Sequence, residues 1–332
     1  MKVVDMHCDT IAALLENREK GWDLAQNDLH VRLDKMKEGD YFLQNFALFV
    51  YCSEGVDPYQ EALRLADCFE EQMRRFPDQI GQVKCYGDIE KNAVSGKISA
   101  LLTIEEGAVC QGSLEKLREF YDRGVRMMTL TWNFPNEIGW PNLVMPKEKG
   151  HKADITVPQT KKGLTAFGFE AVEEMERLGM IVDVSHLSDA GFYDVLKHAK
   201  KPFVASHSNA RAVCPAARNL TDDMIRGLAE KGGVTGLNFC PDFLTLPKEG
   251  RQNQGTIEAV VRHARHIVKV GGEECLGLGS DFDGIPTHAE LTGADKMPLL
   301  EDAFAKAGFP ASLREKIFYK NVLRLYRDTL NG

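Results

Sequence analysis

A TIM barrel, that is, a (β/α)8 barrel of the α/β class, is the fold predicted by this 332-residue sequence. Three observations predict it. Eight apolar runs of strand length recur along the chain. Most are continuous rather than alternating, as parallel strands buried on both faces must be. Amphipathic helical patterns separate most of them, which is the alternation a closed parallel barrel requires.

The expected strands are 3–7, 42–50, 99–104, 126–131, 180–184, 202–206, 233–239 and 275–280. Between them, a helix over 57–76 carries Ala62, Leu63, Ala66 and Phe69, with Met73 one turn on. Ser113 is placed to cap the next helix. Lys116 stands three residues later, so the reciprocal capping box is missing, yet Leu114, Leu117, Phe120 and Tyr121 share one face. Ser188 starts another helix, and Thr221 followed by Asp222 and Asp223 reads as an N-cap with acids in the first turn. Ile257, Val260, Val261, Ala264, Ile267 and Val268 give the clearest 3.6-residue period, and 313–330 closes the chain as a helix. A doubly wound open sheet would show a glycine fingerprint after the first strand. Here His-Cys-Asp-Thr follows it.

No repeat or low-complexity segment divides the chain, so residues 1–332 are expected to form a single domain. The long connections 132–162, 240–255 and 283–298 all follow strands. They therefore fall on the C-terminal face, where barrels build their active sites, and their length suits a lid or substrate pocket.

Composition narrows the function. The net charge of −8 and the lack of a basic face argue against nucleic-acid binding. The eight cysteines form no CxxC pair, which excludes a zinc ribbon or a thioredoxin-type site and fits scattered thiols in a reducing compartment. Asp5, His7, Asp9 and Glu16 interrupt the start of the chain, so no signal segment is expected there. No stretch approaches the roughly 20 apolar residues of a membrane span. A soluble, cytoplasmic protein without a membrane partner is expected.

The chemistry lies at the strand ends. Strand one delivers His7 and Asp9, strand three Glu105 and Glu106, strand five His186, strand six His207, and strand eight Asp281 and Asp283. Residues i and i+2 of a strand point to the same side, so His7 and Asp9 can share one ion. His186 and His207, from neighbouring strands, can pinch another, and a carboxylate from strand three can bridge the two. Imidazole with carboxylate suits zinc, with manganese, cobalt or iron as alternatives. A lone strand-end histidine is usually just a satisfied polar group. Three of the nine histidines ending apolar strands on one face are harder to dismiss. Of the others, His198, His263 and His266 are expected on helices and solvated, and His30, His151 and His288 in loops. Spacing does not choose between Glu105 and Glu106. Cys8 is expected to point away and pack against a helix. After strand six, Arg211 and Arg218 are both placed to grip a substrate carboxylate with a planar guanidinium.

The stretches "DMHCDT", "TIEEGA", "VDVSHLS", "PFVASHSNARAVCPAARNLTDD" and "GLGSDFDG" together resemble the renal or membrane dipeptidase family, metal-dependent dipeptidases of the amidohydrolase superfamily of barrels. The resemblance runs from residue 5 to residue 284. It implies two zinc ions per chain, one on His7, Asp9 and Glu105, the other on Glu105, His186 and His207. It also implies Arg218 as the group that binds the substrate's terminal carboxylate. Asp281 would take the proton from an attacking hydroxide shared by the ions and pass it to the leaving amine. The implied substrate is a small dipeptide; whether a D-residue is accepted at its second position, and whether the chain forms a homodimer, the sequence leaves open.

Two departures bear on substrate preference. The best-known members carry a histidine after strand four, where this sequence has Trp132 and then Asn133. An indole N–H or an amide can serve the same carbonyl, as can His151 from the loop. A tyrosine that helps to hold the carboxylate corresponds to Phe243. Another amidohydrolase acting on a small or cyclic amide is the alternative reading. Such enzymes more often begin with HxH and bridge with a carboxylated lysine. A non-catalytic binding barrel would have no use for the acid at Asp281.

Overall fold

The computed structural model describes residues 1–145, 154–246, 253, 255–286 and 288–330. His151 lies outside the described residues. Eight parallel strands close into a ring: β1 (Val3–Asp5), β2 (Tyr41–Phe49), β4 (Ile98–Glu105), β5 (Val125–Thr129), β6 (Ile181–Asp183), β7 (Val204–Ala205), β8 (Val234–Leu237) and β9 (Leu276–Leu278). Going round, β2 pairs with β1, β1 with β9, and so on down to β4, which pairs back with β2.

One strand was not expected. β3 (Ile80–Val83) pairs with the first half of β4, Ile80 with Ile98 through Val83 with Leu101. The second half of the same β4 edge pairs with β5, from Leu102 with Val125 onward. β3 thus lies outside the ring, beneath β5. Only its end residues Ile80 and Val83 are buried, and Gly81 and Gln82 interrupt the apolar run.

The interior of the barrel is filled, not open. Val4, Met6, Leu43, Leu101, Met127, Ile181, Val204 and Val234 pack in its lower part, and Val322, Leu325 and Tyr326 of the last helix plug it from below. Tyr326 Oη and the Asn45 amide lie 2.7–2.9 Å apart. The closing helix is continuous from Ala311 to Thr329, with one π-type segment over Lys316–Lys320. A larger apolar layer lies between the strands and the surrounding helices. Burying this much aliphatic and aromatic area, at about 25 cal/mol per Å2, is the main force holding the barrel closed.

Helix starts follow the sequence closely. Ser188 Oγ accepts from Gly191 N–H, Thr221 Oγ1 from Met224 N–H, and Ser113 Oγ from Lys116 N–H with no reciprocal bond. Each such cap contributes about 1 kcal/mol. His263 corrects an expectation. It is fully buried, with Nδ1 accepting from Ala210 N–H at 3.1 Å and Nε2 facing Leu244 O at 3.0 Å. It lies three residues after Val260 on the helix Ile257–Gly271, so the apolar period itself turns it inward.

Most strands stop earlier than their apolar runs, β4, which continues to Glu105, being the exception. β1 ends at Asp5 and β7 at Ala205, and the side chains of interest follow in irregular backbone. Glu106, His186, Asp281 and Asp283 adopt positive φ of 102°, 68°, 63° and 69°. Such conformations cost non-glycine residues on the order of 1–3 kcal/mol each and gather where geometry serves function.

Candidate metal centre

The centre is assembled by zipping the tails of β1 and β9 together. Asp5 Oδ1 accepts from His7 N–H at 3.3 Å and Ser280 N–H at 2.8 Å. Asp281 N–H donates to His7 O, and Asp9 N–H to Phe282 O. His7, Asp9 and Asp281 are thereby brought to one point. His7 Nε2 lies 3.5 Å from Asp9 Oδ2, 3.3 Å from Glu105 Oε2 and 3.9 Å from Asp281 Oδ1.

Glu105, the last residue of β4, stands at the middle. Its Oε2 faces His7, while Oε1 lies 2.9 Å from His186 Nε2 and 3.5 Å from His207 Nε2. Those two imidazole nitrogens face each other at 3.1 Å. The rings of His7 and His207 stack, centroids 4.0 Å apart. Glu106 points elsewhere: its buried carboxylate accepts from Ala108 N–H, Trp132 N–H and Asn136 Nδ2–H.

This donor set fits divalent cations. His7 Nε2 and Asp9 Oδ1 are buried without a hydrogen-bond partner. Two sets of ligand atoms, His7–Glu105–His207 and His7–Asp9–Asp281, each lie within 4.8 Å of one another. Three imidazoles with three carboxylates, and no thiolate, is a nitrogen–oxygen set of the zinc type. The charges point the same way. Burial pushes Glu105 up to about 8 and Asp281 up to about 6, with the neighbouring Asp9 carboxylate adding to both. Burial lowers His186 and His207 well below their ordinary value, helped by Arg218 and His7. Burial works the same way on His7, but the Glu105 and Asp9 carboxylates outweigh it and raise His7 well above the usual range. Negative charge packed this deep is costly until a cation compensates it.

Supporting hydrogen bonds orient the rings. His207 Nδ1–H donates to Ser206 Oγ at 2.7 Å, and Ser206 Oγ–H to Asp183 Oδ2 at 2.5 Å. Asp183 is fully buried and also accepts from Thr129 Oγ1–H and the N–H groups of Ser185 and Ser206. His186 Nδ1–H donates to Asn133 Oδ1 at 3.0 Å. Each ring therefore presents Nε2 to the centre. Asn238 Nδ2–H donates to Asp281 Oδ2 at 2.9 Å. A Cβ on Gly284 would lie 1.9 Å from Asp9 Oδ2, so only glycine leaves room for that carboxylate. Sequence reasoning missed Asp183, Asn238 and the ring-orienting contact of Asn133. Asp183 carried a signal, an acid inside the apolar run "MIVDV".

The two arginines differ. Arg211 pairs with both oxygens of Asp189 at 2.7 Å and bonds Ala217 O and Asn219 O. Arg218 is 3% exposed, donates to Ser208 Oγ and His207 O, and keeps a buried Nε without a partner. Its guanidinium lies 5.5 Å from the Phe243 ring centroid. The Trp132 ring stands 6.1 Å from that of His186. Cys8 is buried in the layer outside the barrel, its Sγ near Asn45 O and Thr10.

No helix among the described residues is long and apolar enough to cross a membrane. A family model described as membrane dipeptidase, peptidase family M19, matches residues 1–331. The chain is 33% identical to an uncharacterized dipeptidase of Schizosaccharomyces pombe, over 99% of this chain and 80% of that one. It is similar to the crystal structure of dipeptidase AC, a metallopeptidase of family M19, at 29% identity and a TM-score of 0.88, covering 100% of this chain and 99% of the other. It is also similar to a metallopeptidase from Rhodobacter sphaeroides liganded with a phosphinate mimic of the dipeptide L-Ala-D-Ala, at 28% identity and a TM-score of 0.87, over 99% of both.

Proposed function

The chain belongs to the membrane dipeptidase family, the metallo-dipeptidases of peptidase family M19, and from that premise we propose that it is a binuclear zinc enzyme hydrolysing free dipeptides, with residues 1–332 as one catalytic domain. The observation that carries this reading is the splitting of Glu105, one oxygen toward His7 and the other toward His186 and His207. His7, Asp9 and Glu105 would hold one ion, and Glu105, His186 and His207 the other. Bound zinc supplies Lewis acidity, bringing the pKa of water from 15.7 toward about 7 and polarising the carbonyl under attack.

The chain's own residues supply the rest. The Arg218 guanidinium, whose Nε has no partner within the protein, takes the terminal carboxylate of the substrate, a charge-assisted and directional contact. That contact restricts the substrate to one with a free carboxylate beside the scissile bond. Asp281, held through Oδ2 by Asn238, presents Oδ1 toward the ligand cluster. There it takes the proton of the attacking water and returns it to the leaving amine. Trp132 and Asn133 border the substrate on the His186 side. The proposal extends to a D-residue in second position, because the similar Rhodobacter sphaeroides metallopeptidase binds a mimic of L-Ala-D-Ala. All eight cysteines are free thiols, which fits a reducing compartment such as the cytoplasm.

A dipeptide library that includes L–D pairs, assayed on zinc-loaded and chelator-treated protein, tests the reading. Hydrolysis of free dipeptides that chelation abolishes and zinc restores is expected. Zinc-loaded protein inert toward every dipeptide would overturn it.

A further inference from the structure

Four aromatic rings gather on one side of the barrel mouth. Phe49 ends β2, directly opposite Glu105 in the register with β4. Its ring lies 5.1 Å from that of Trp132. Tyr51 lies 5.4 Å from Trp132 and 5.3 Å from Phe134, and Trp132 lies 5.7 Å from Phe134. Three of the four contacts are edge-to-face, the arrangement aromatic quadrupoles prefer. The loop that carries two of these rings is pinned from below by the Glu106 carboxylate, through Trp132 N–H and Asn136 Nδ2–H. The wall is therefore formed before any ligand arrives. It is also left open: Phe49, Trp132 and Phe134 are only half-buried, and Tyr51 is 45% exposed. Apolar area held rigid beside a polar cluster and not covered by the protein's own core marks a ligand surface.

Its place relative to Arg218 says which part of a ligand it meets. Arg218 follows β7 and bonds His207 O. In the ring of strands, β2, which leads to Phe49 and Tyr51, stands diametrically opposite β7, while Trp132 and Phe134 come from the loop after β5, two strands round from β7. The metal-ligand cluster lies between, with the Trp132 ring next to that of His186. We propose that Phe49, Tyr51, Trp132 and Phe134 form the subsite for the side chain of the substrate's N-terminal residue and make the enzyme select apolar and aromatic residues there. This rests on the dipeptidase reading. With the carboxylate on Arg218 and the scissile carbonyl over the ligand cluster, the first residue faces away from Arg218, toward the rings.

The test is kcat/KM on zinc-loaded protein for an X–Ala series, with X as Gly, Ala, Leu, Phe, Asp or Lys, and for the matching Ala–X series. Inhibition constants of phosphinate mimics of Phe–Ala and Ala–Ala give a second readout. Leu and Phe should exceed Gly and Asp in first position by about ten- to hundredfold, the return on burying such a side chain. Tyr51→Ala and Phe134→Ala should each shrink the Phe/Ala ratio about three- to tenfold, in both kcat/KM and inhibition, and leave the ranking of the Ala–X series as in the parent. Tyr51 is at the surface, so its truncation opens no core cavity. A flat X–Ala series, a preference for Asp or Lys, or variants that reshape the Ala–X series instead would overturn the assignment while the dipeptidase reading stood. Failure to cleave any member of either series would remove the dipeptidase reading itself.

Discussion

Asn133 Oδ1 lies 3.0 Å from His186 Nδ1, so the side chain that follows Trp132 in sequence holds from behind an imidazole that we propose as a metal ligand. The bond fixes the tautomer with Nε2 free and the ring plane aimed at Glu105 Oε1. Asn133→Ala should lower zinc affinity about ten- to hundredfold, the usual loss when the partner behind a ligating histidine is removed. Competition with a chromophoric chelator reads this directly, without an activity assay. Undiminished affinity would reduce Asn133 to a substrate contact.

Asp281 should be separable in function from the proposed metal ligands. Its Oδ2 is occupied by Asn238, and only Oδ1 faces His7, at 3.9 Å, the longest of the distances from that imidazole. Asp281→Asn should keep bound zinc near the parent stoichiometry and cut kcat about 100- to 10,000-fold, the range of a lost general acid–base. Metal content by elemental analysis and kcat on the same preparation decide it. Loss of metal in proportion to activity would make Asp281 a ligand instead.

Much of the centre was legible because most of its side chains closely follow an apolar run. The runs before His7, Glu105, His186 and His207 mark buried parallel strands, and in a barrel all such strands release their side chains at one rim. What failed to show has physical reasons. β3 carries Gly81 and Gln82 in a four-residue strand that covers β4 from outside the ring, so it has no continuous apolar run. His263 was misjudged by residue type, although its position in the helical period was inward. The bond from Asn238 to Asp281 joins residues 43 apart, and that from Asn133 to His186 residues 53 apart. Such pairs leave no local pattern to read. Most strands also end before their apolar runs do, and beyond β6 and β9 His186 and Asp281 take up positive φ, which neither residue type announces.

Arg211 and Arg218, seven residues apart and alike in sequence context, should give opposite phenotypes. Arg218→Ala should raise KM for free dipeptides at least tenfold and scarcely change it for carboxyl-amidated ones, since its guanidinium, whose Nε has no partner within the protein, is the group that would meet the carboxylate. Arg211→Ala should instead destabilise the fold by about 3 kcal/mol, because it strands the largely buried Asp189 carboxylate without its paired cation. Steady-state kinetics on the two substrate types, alongside denaturant unfolding, separate these effects. Equal KM increases on free and amidated substrates with Arg218→Ala would cancel its assigned role.

His263 should make the fold acid-sensitive independently of the metal centre. Burial between Ala210 N–H and Leu244 O lowers its pKa from 6.5 to about 4. The native state therefore keeps the ring neutral where the unfolded chain protonates it. Its stabilisation is fully present above pH 6.5, is lost progressively as the pH falls toward 4, and levels off below that, where both states carry the proton. The depression corresponds to about 3 kcal/mol, of which about 2 kcal/mol is already lost at pH 5. His263→Gln keeps an acceptor for Ala210 N–H and a donor for Leu244 O but cannot titrate. Urea unfolding of parent and variant at pH 7 and pH 5 isolates the contribution, because every other titrating group is common to both. The parent should lose about 2 kcal/mol more than the variant over that interval; equal losses would place the acid sensitivity elsewhere, with the buried carboxylates and imidazoles of the metal centre the next groups to test.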